Sequence, residues 1–252
     1  MDESAFKLAA LRQAEMPVPF STGHKALDTT LGGGLAQGRV HELFAASVDD
    51  AASATGFAAM LALRALQPGK VLLWLRTDTA ERRGGSFHAP GFVELGGDPD
   101  ALLLALAPDD VTMLRCAADA ARCAGLGVVV TECWGTPRAL DLTASRRLAL
   151  AAEKSGVTLL LLRMDAQASP SAAETRWQVM AAPSQGLEAN APGPAVLEIE
   201  LLRRRAGPAG MRWRVEWDRD ERSFREAALP GAVVPLPLGR PAADMPPLHR
   251  TA

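Results

Sequence analysis

Tyrosine is absent from this 252-residue chain, and lysine occurs four times against twenty-three arginines. Both imbalances fit the base composition of the gene better than any chemical demand. Three cysteines, Cys116, Cys123 and Cys133, cannot all pair, and their spacings match no zinc pattern. They read as small buried apolar residues of a reducing compartment. None of the four histidines (His24, His41, His88, His249) has a Cys or acid neighbour at metal-ligand spacing, so no metal site is expected. A G-x-S-x-G nucleophile elbow is also missing. No apolar run nears the ~20 residues that span a bilayer, and no basic stretch leads into an apolar one at the N-terminus. A cytoplasmic protein without a membrane partner is expected. The net charge of −2 creates no global field for nucleic acid.

What is present suits a globular α/β protein: 48% hydrophobic and 22% charged residues, in a chain long enough to bury a core unaided. Residues 4–15 carry apolar positions near helical spacing, and a short helix is expected at 24–31, before the Gly32-Gly33-Gly34 bend. Val40–Phe44, Val71–Leu75, Gly127–Thr131 and Val157–Arg163 are apolar runs of strand length, with Leu102–Leu106 as a further short one. Between them lie helical stretches at 51–67, from an Asp109 cap to about 124, and at 138–155. Apolar strands alternating with helices indicate a mostly parallel central sheet covered on both faces. A polar, glycine-rich loop is expected over 76–90. Beyond Asp165 the pattern changes to a small-residue loop, a strand at 178–183 and two alternating segments, LEIELLRRR and MRWRVEWD, around a Gly/Pro turn, which is a hairpin signature. Six prolines between 230 and 247 mark an extended tail. The domain reading is an N-terminal helix in 1–15, one domain with its hairpin over 16–228, and a Pro-rich tail at 229–252.

The most informative absence lies between strand 40–44 and the helix after it. A phosphate loop there needs G-x-x-x-x-G-K-[ST], whose amides and lysine hold the β-phosphate and whose hydroxyl holds Mg²⁺. From Val40 through Leu63 there is no Lys or Arg. The degenerate region comprises Ala45, Asp49, Asp50, Thr55 and Gly56, with two carboxylates where a triphosphate would sit. Charge contact of that sign at ~4 Å is unfavourable even in high dielectric. Strand 127–131 ends in Thr131, where such folds place an acid for the metal, and Glu132 follows one residue on, which reverses its direction across the sheet. Asp78 reads as a surface acid. No catalytic residue, cofactor or ATP hydrolysis is expected. The remaining candidate is the cluster Arg203, Arg204, Arg205, Arg212 and Arg214 with Trp213 and Trp217 interleaved. These residue types serve single-strand nucleic-acid contacts and protein interfaces alike. A plain alternative is a solvated arginine face with tryptophans turned onto the sheet.

Read whole, STGHKALDTTLGGGLAQGRVHELF (21–44) resembles the lead-in to the phosphate loop of RecA-type ATPase cores, and LGGDPDALL (95–103) follows in the matching order. The resemblance covers roughly residues 15–205. With SAAETRW (171–177), LEIELLRRRAGPAG (197–210) and RWRVEWD (212–218), the chain resembles most closely the ImuA-type, SulA-related accessory proteins. That resemblance implies a RecA-like fold with a C-terminal antiparallel hairpin extension. It implies a pseudo-ATPase role in SOS-induced, error-prone translesion DNA synthesis beside an ImuB-like inactive Y-family protein and a DnaE-type polymerase. RecA or its filament, or DNA, are further contacts it admits. Retained DNA or weak nucleotide binding, or SulA-like inhibition of cell division, are the alternatives. RecA-type DNA-binding loops would fall near 134–141 and 165–175, where Arg176 is the lone basic residue close to the second.

Overall fold

The computed structural model describes residues 18–187, 191 and 193–227. The helix expected at 4–15 and the Pro-rich tail from 229 lie outside them. No helix of the described residues is long and apolar enough to cross a membrane.

A two-residue ribbon, β1 (Pro19–Phe20) with β2 (Leu35–Ala36), brackets α1 (Lys25–Leu31). His24 caps α1, its Nδ1 accepting from the Leu27 amide, and Asp28 turns back to hold the Thr22 amide and hydroxyl. The glycine bend is sterically required. Gly34 has φ +127°, and a Cβ there would run into the Phe20 carbonyl.

The remaining strands form one nine-stranded sheet. In chain order they are β3 (Val40–Ala45), β4 (Val71–Thr77), β5 (Leu102–Ala107), β6 (Leu126–Trp134), β7 (Thr158–Met164), β8 (Thr175–Ala181), β9 (Val196–Arg204), β10 (Arg212–Asp218) and β11 (Ser223–Glu226). Across the sheet they run β11-β10-β9-β8-β3-β7-β6-β4-β5. The six from β8 to β5 are parallel, and β9, β10 and β11 continue antiparallel. α2 (Ala51–Ala65) packs on one face over Leu43, Leu72, Trp74, Val128, Val130, Leu160 and Trp177. α5 (Asp110–Ala120) and α6 (Leu142–Ser155) cover the other, over Leu75, Val129, Leu159 and Leu161. All seven residues of β7 are buried, which explains its uninterrupted apolar run.

Several boundaries differ from expectation, each for a local reason. The loop expected at 76–90 holds a helix, α3 (Asp78–Gly84), and a second, α4 (Ala89–Glu94), begins at its end. Thr77 Oγ1 caps α3 through the Ala80 amide, with Asp78 and Glu81 in its first turn and Arg82 and Arg83 in its last, as the helix dipole favours. α6 begins at 142 and not at 138 because the Asp141 carboxylate accepts from the Ala144 amide at 2.7 Å. α5 stops at Ala120, so Cys123 leaves the helix. Cys116 and Cys123 are exposed, which corrects the expectation that all three cysteines are buried. Cys133 is buried, and the loss of water pushes its thiol up to about 12. β8 starts at Thr175 because it pairs with β3 from His41 onward. β11 has too few residues to announce itself, and its pairing with β10 makes the strand.

His41 sits at the centre of this framework, fully buried between Thr175 Oγ1 at 2.7 Å and the Ala36 carbonyl at 2.9 Å. Trp177 Nε1 donates to the same Thr175 oxygen. The hydroxyl proton therefore goes to His41 Nδ1, and Nε2–H goes to Ala36. Burial pushes the imidazole down to about 4 from its usual 6.5. Between those values the unfolded chain binds the extra proton, so unfolding free energy falls as pH drops. The expected loss through this window is up to about 3 kcal/mol. Urea titrations at stepped pH should show that slope reduced in a His41→Asn variant.

Candidate functional site

The connection from β3 to α2 is where a phosphate loop would lie. It spans residues 46–50, and the amides at its two ends are committed within the chain. Ala46 N–H goes to the Val179 carbonyl at 2.9 Å, Asp50 N–H to Ser47 at 3.2 Å and Ala51 N–H to Val48 at 3.1 Å. A phosphate cradle needs such amides free and convergent. Asp50 precedes α2 without capping it. Its carboxylate instead accepts from the Ala181 amide at 2.9 Å and from Ser47 Oγ at 2.6 Å, stapling the turn to the end of β8. Ala45 ends β3 buried, and Asp49 stands exposed beside the turn. Thr55 spends its hydroxyl on the Ala51 carbonyl of its own helix at 2.9 Å, and Gly56 sits one residue on.

Asp49, Thr55 and Gly56 line one wall of a cleft of about 660 Å³ between α2, the ends of β4 and β6, and the α3–α4 segment. Met60, Trp74, Phe87, Phe92 and Trp134 supply much of its lining. Thr131 points to the opposite face and is fully buried. Glu132 is the acid on the cleft side, as its one-residue offset requires. It is saturated: Arg76 Nε lies 2.8 Å and Nη2 3.1 Å away, Trp74 Nε1 donates at 3.3 Å and Trp134 Nε1 at 3.0 Å. Arg83 covers the Trp134 ring, 5.9 Å from its centroid. Asp78 is the exposed first residue of α3. Among the described residues no group of three His, Cys, Asp or Glu stands close enough to hold a metal.

A second buried charge cluster joins three adjacent strands on the α6 face. Glu42 on β3 receives Arg176 from β8, with Nη2 at 2.7 Å and Nε at 2.8 Å, and Ser171 Oγ at 2.8 Å. Arg163 from β7 approaches it at 3.7 Å. Both guanidinium groups lie over the Phe44 ring, at 5.3 and 5.5 Å. Arg176 and Ser171 also fasten the 165–174 segment, so the one arginine beside that loop is already engaged. Neither cluster was singled out from sequence. The signal was there, as charged residues inside apolar strands (LWLR, TECW, VTLLLLR), but which strands would be neighbours was not.

The C-terminal arginines do not act as one patch. Arg204 caps α1, donating to the Thr30 and Leu31 carbonyls at 2.8 and 2.7 Å. Arg212 pairs with Glu200 at 2.8 Å and lies 3.6 Å from Glu198. Arg214 binds the Pro183 carbonyl. Trp213 packs on Trp177, ring centroids 6.0 Å apart, and Trp217 is buried with its Nε1 donating to the Leu95 carbonyl at 3.1 Å. Both tryptophans belong to the α2-side core and offer no stacking platform. Arg203 and Arg205 remain, on the α6 face, and Arg203 still ties the Ser171 carbonyl at 3.0 Å. A sheet edge is a natural partner surface for such a scaffold, and which strand forms it is seen only in the fold. β5 is a terminal strand, and Leu103, Leu104 and Leu106 are 53%, 51% and 55% exposed.

A parallel sheet with the phosphate-loop strand set between its neighbours, a helix from that strand on one face and an antiparallel extension define a RecA-like core. The fold is similar to the crystal structure of the RadB recombinase, with a TM-score of 0.54, 18% identity, and coverage of 83% of this chain and 100% of that one. No protein-family model matches. The chain belongs to the ImuA family: it is 33% identical over 218 residues to Protein ImuA of Caulobacter vibrioides in two strains, covering 81% of this chain and 79% of the relative.

Proposed function

We propose that the chain is a non-catalytic accessory protein of SOS-induced, error-prone translesion DNA synthesis, a RecA-like scaffold that binds an ImuB-like partner and a DnaE-type polymerase. The observation that carries the non-catalytic part is the β3–α2 turn. The amides at its two ends are spent on chain carbonyls, the Asp50 carboxylate is spent on β8, and the nearby Glu132 is spent on Arg76. An incoming triphosphate would have to break these contacts and meet carboxylates in place of a lysine. The adaptor part is supported by membership of the ImuA family and by the β5 edge. Among the described residues that edge has no strand paired on its outer side and leaves three leucines exposed, a surface suited to an added partner strand.

The test has two arms on the full chain. Titration with Mg-ATP should give no saturable signal in the micromolar range, and saturable binding there would sink the non-catalytic reading. Co-purification with the ImuB-like protein should be lost in a Leu104→Lys/Leu106→Lys variant whose melting curve is unchanged. Retained binding would remove the sheet edge from the interface.

A further inference from the structure

α6 has two apolar stripes. Ser145, Leu148, Ala151 and Ala152 face the sheet. Leu142, Ala149 and Leu150 share a second stripe with Arg146 and Glu153 at the same helical spacing, with Ala149 still touching the edge of the core and Leu150 turned away from it. Leu150 is 67% exposed. Beside this stripe run Ser171 and Ala172, and beyond them Arg203 and Arg205 at the end of β9, enclosing a groove of about 380 Å³.

Its charge is one-sided. Arg146, Arg203 and Arg205 rim it, and Glu153, its one acid, is already paired with Arg39 at 2.6 Å. This concentrates positive charge over an apolar floor in a chain whose net charge is −2. The positions are built. An extra residue in β9 opposite the Arg176–Trp177 step directs Arg203 to the α6 face, where it pairs in register with Arg176. Its bond to the Ser171 carbonyl holds the guanidinium at the groove's edge. Arg205 is anchored through its own amide to the Glu174 carbonyl at 2.9 Å, with its side chain exposed.

We propose that this groove docks a short acidic amphipathic segment of a partner protein, apolar side chains on Leu142, Ala149 and Leu150 and carboxylates on Arg146, Arg203 and Arg205. The occupant follows from charge complementarity and from the floor. Nucleic acid would use the same arginines but needs ring faces for its bases, and no aromatic residue lines the groove. The chain's own tail, with two arginines and one acid in 229–252, has the wrong charge. This inference stands apart from the nucleotide reading, because it uses neither the β3–α2 turn nor the cleft beside it.

The experiment uses the full chain and three fluorescein-labelled probes: a model helical peptide with leucines on one face and glutamates flanking them, the same peptide with lysines for glutamates, and an oligo-dT strand. Anisotropy should show saturable, salt-sensitive binding of the acidic peptide. Affinity should fall about tenfold or more in Leu150→Asp and in Arg146→Glu/Arg205→Glu, exposed positions whose replacement leaves the circular dichroism unchanged. Equal binding of the lysine peptide, or acidic-peptide binding indifferent to both variants, overturns the proposal. So does binding of oligo-dT alone with the same arginine dependence, which would reassign the groove to phosphates.

Discussion

Replacing Glu42 by alanine is expected to lower the unfolding free energy by about 3–5 kcal/mol. Glu42 is 1% exposed, and it is the carboxylate that Arg176 and Arg163 share across three neighbouring strands. Removing it leaves two guanidinium groups, 1% and 9% exposed, over the Phe44 ring with no counter-charge, and Arg176 with only its neutral partners Ser169 and Ser171. Ser171 loses its acceptor at the same time, and with it one tie on the segment between β7 and β8. Glu42→Gln keeps an acceptor oxygen and much of the volume, so a smaller loss is expected. Urea unfolding of both variants checks the order. A loss under about 1 kcal/mol for Glu42→Ala would mean that the arginines reach water on their own, against the burial seen here.

The Arg76–Glu132 pair should give the second large effect, with a distinctive double-mutant pattern. Glu132→Leu alone strands the Arg76 guanidinium in the cleft wall and leaves the Trp74 and Trp134 indole N–H groups without their acceptor. Arg76→Met alone strands a carboxylate that is 3% exposed. Each is expected to cost about 3–5 kcal/mol, whereas the double variant should cost much less, because a buried ion pair can be exchanged for apolar residues of similar volume nearly without loss. The two indoles would keep the double variant somewhat below the parent. Additive losses would show that each residue also acts outside the pair, and would reopen the cleft as a site needing a free acid.

Much of the architecture was legible because it rests on local patterns. Continuous apolar runs at 71–75, 127–131 and 157–163 read as buried strands by their length and flanks, and Asp109 marked its helix as a capping residue type ahead of it. The alternation of 197–205 and 211–218 placed Trp213, Val215 and Trp217 on one face, where the core holds them. α3 was hidden in a polar stretch because its stability comes from a cap and its charge order, which composition does not register. The arginines of 203–214 read as one cluster because they are close in sequence. Alternation, an extra residue in β9 and four different partners send them to separate places.

By itself, then, the sequence determined the α/β class, the RecA-like lead-in through residue 44 and the absence of lysine and arginine from Val40 through Leu63. Those are properties of residue type and of spacing along the chain. Only the tertiary structure decided how the β3–α2 connection and its surroundings are held: the Ala46, Asp50 and Ala51 amides on Val179, Ser47 and Val48, Asp50 fastened to β8, and Glu132 closed off by an arginine from β4. It likewise decided that β5 ends the sheet with its leucines bare and that Arg203 and Arg205 meet α6 across a groove. These outcomes depend on which strands become neighbours. Strand pairing brings together residues more than a hundred positions apart, and no local pattern specifies that choice.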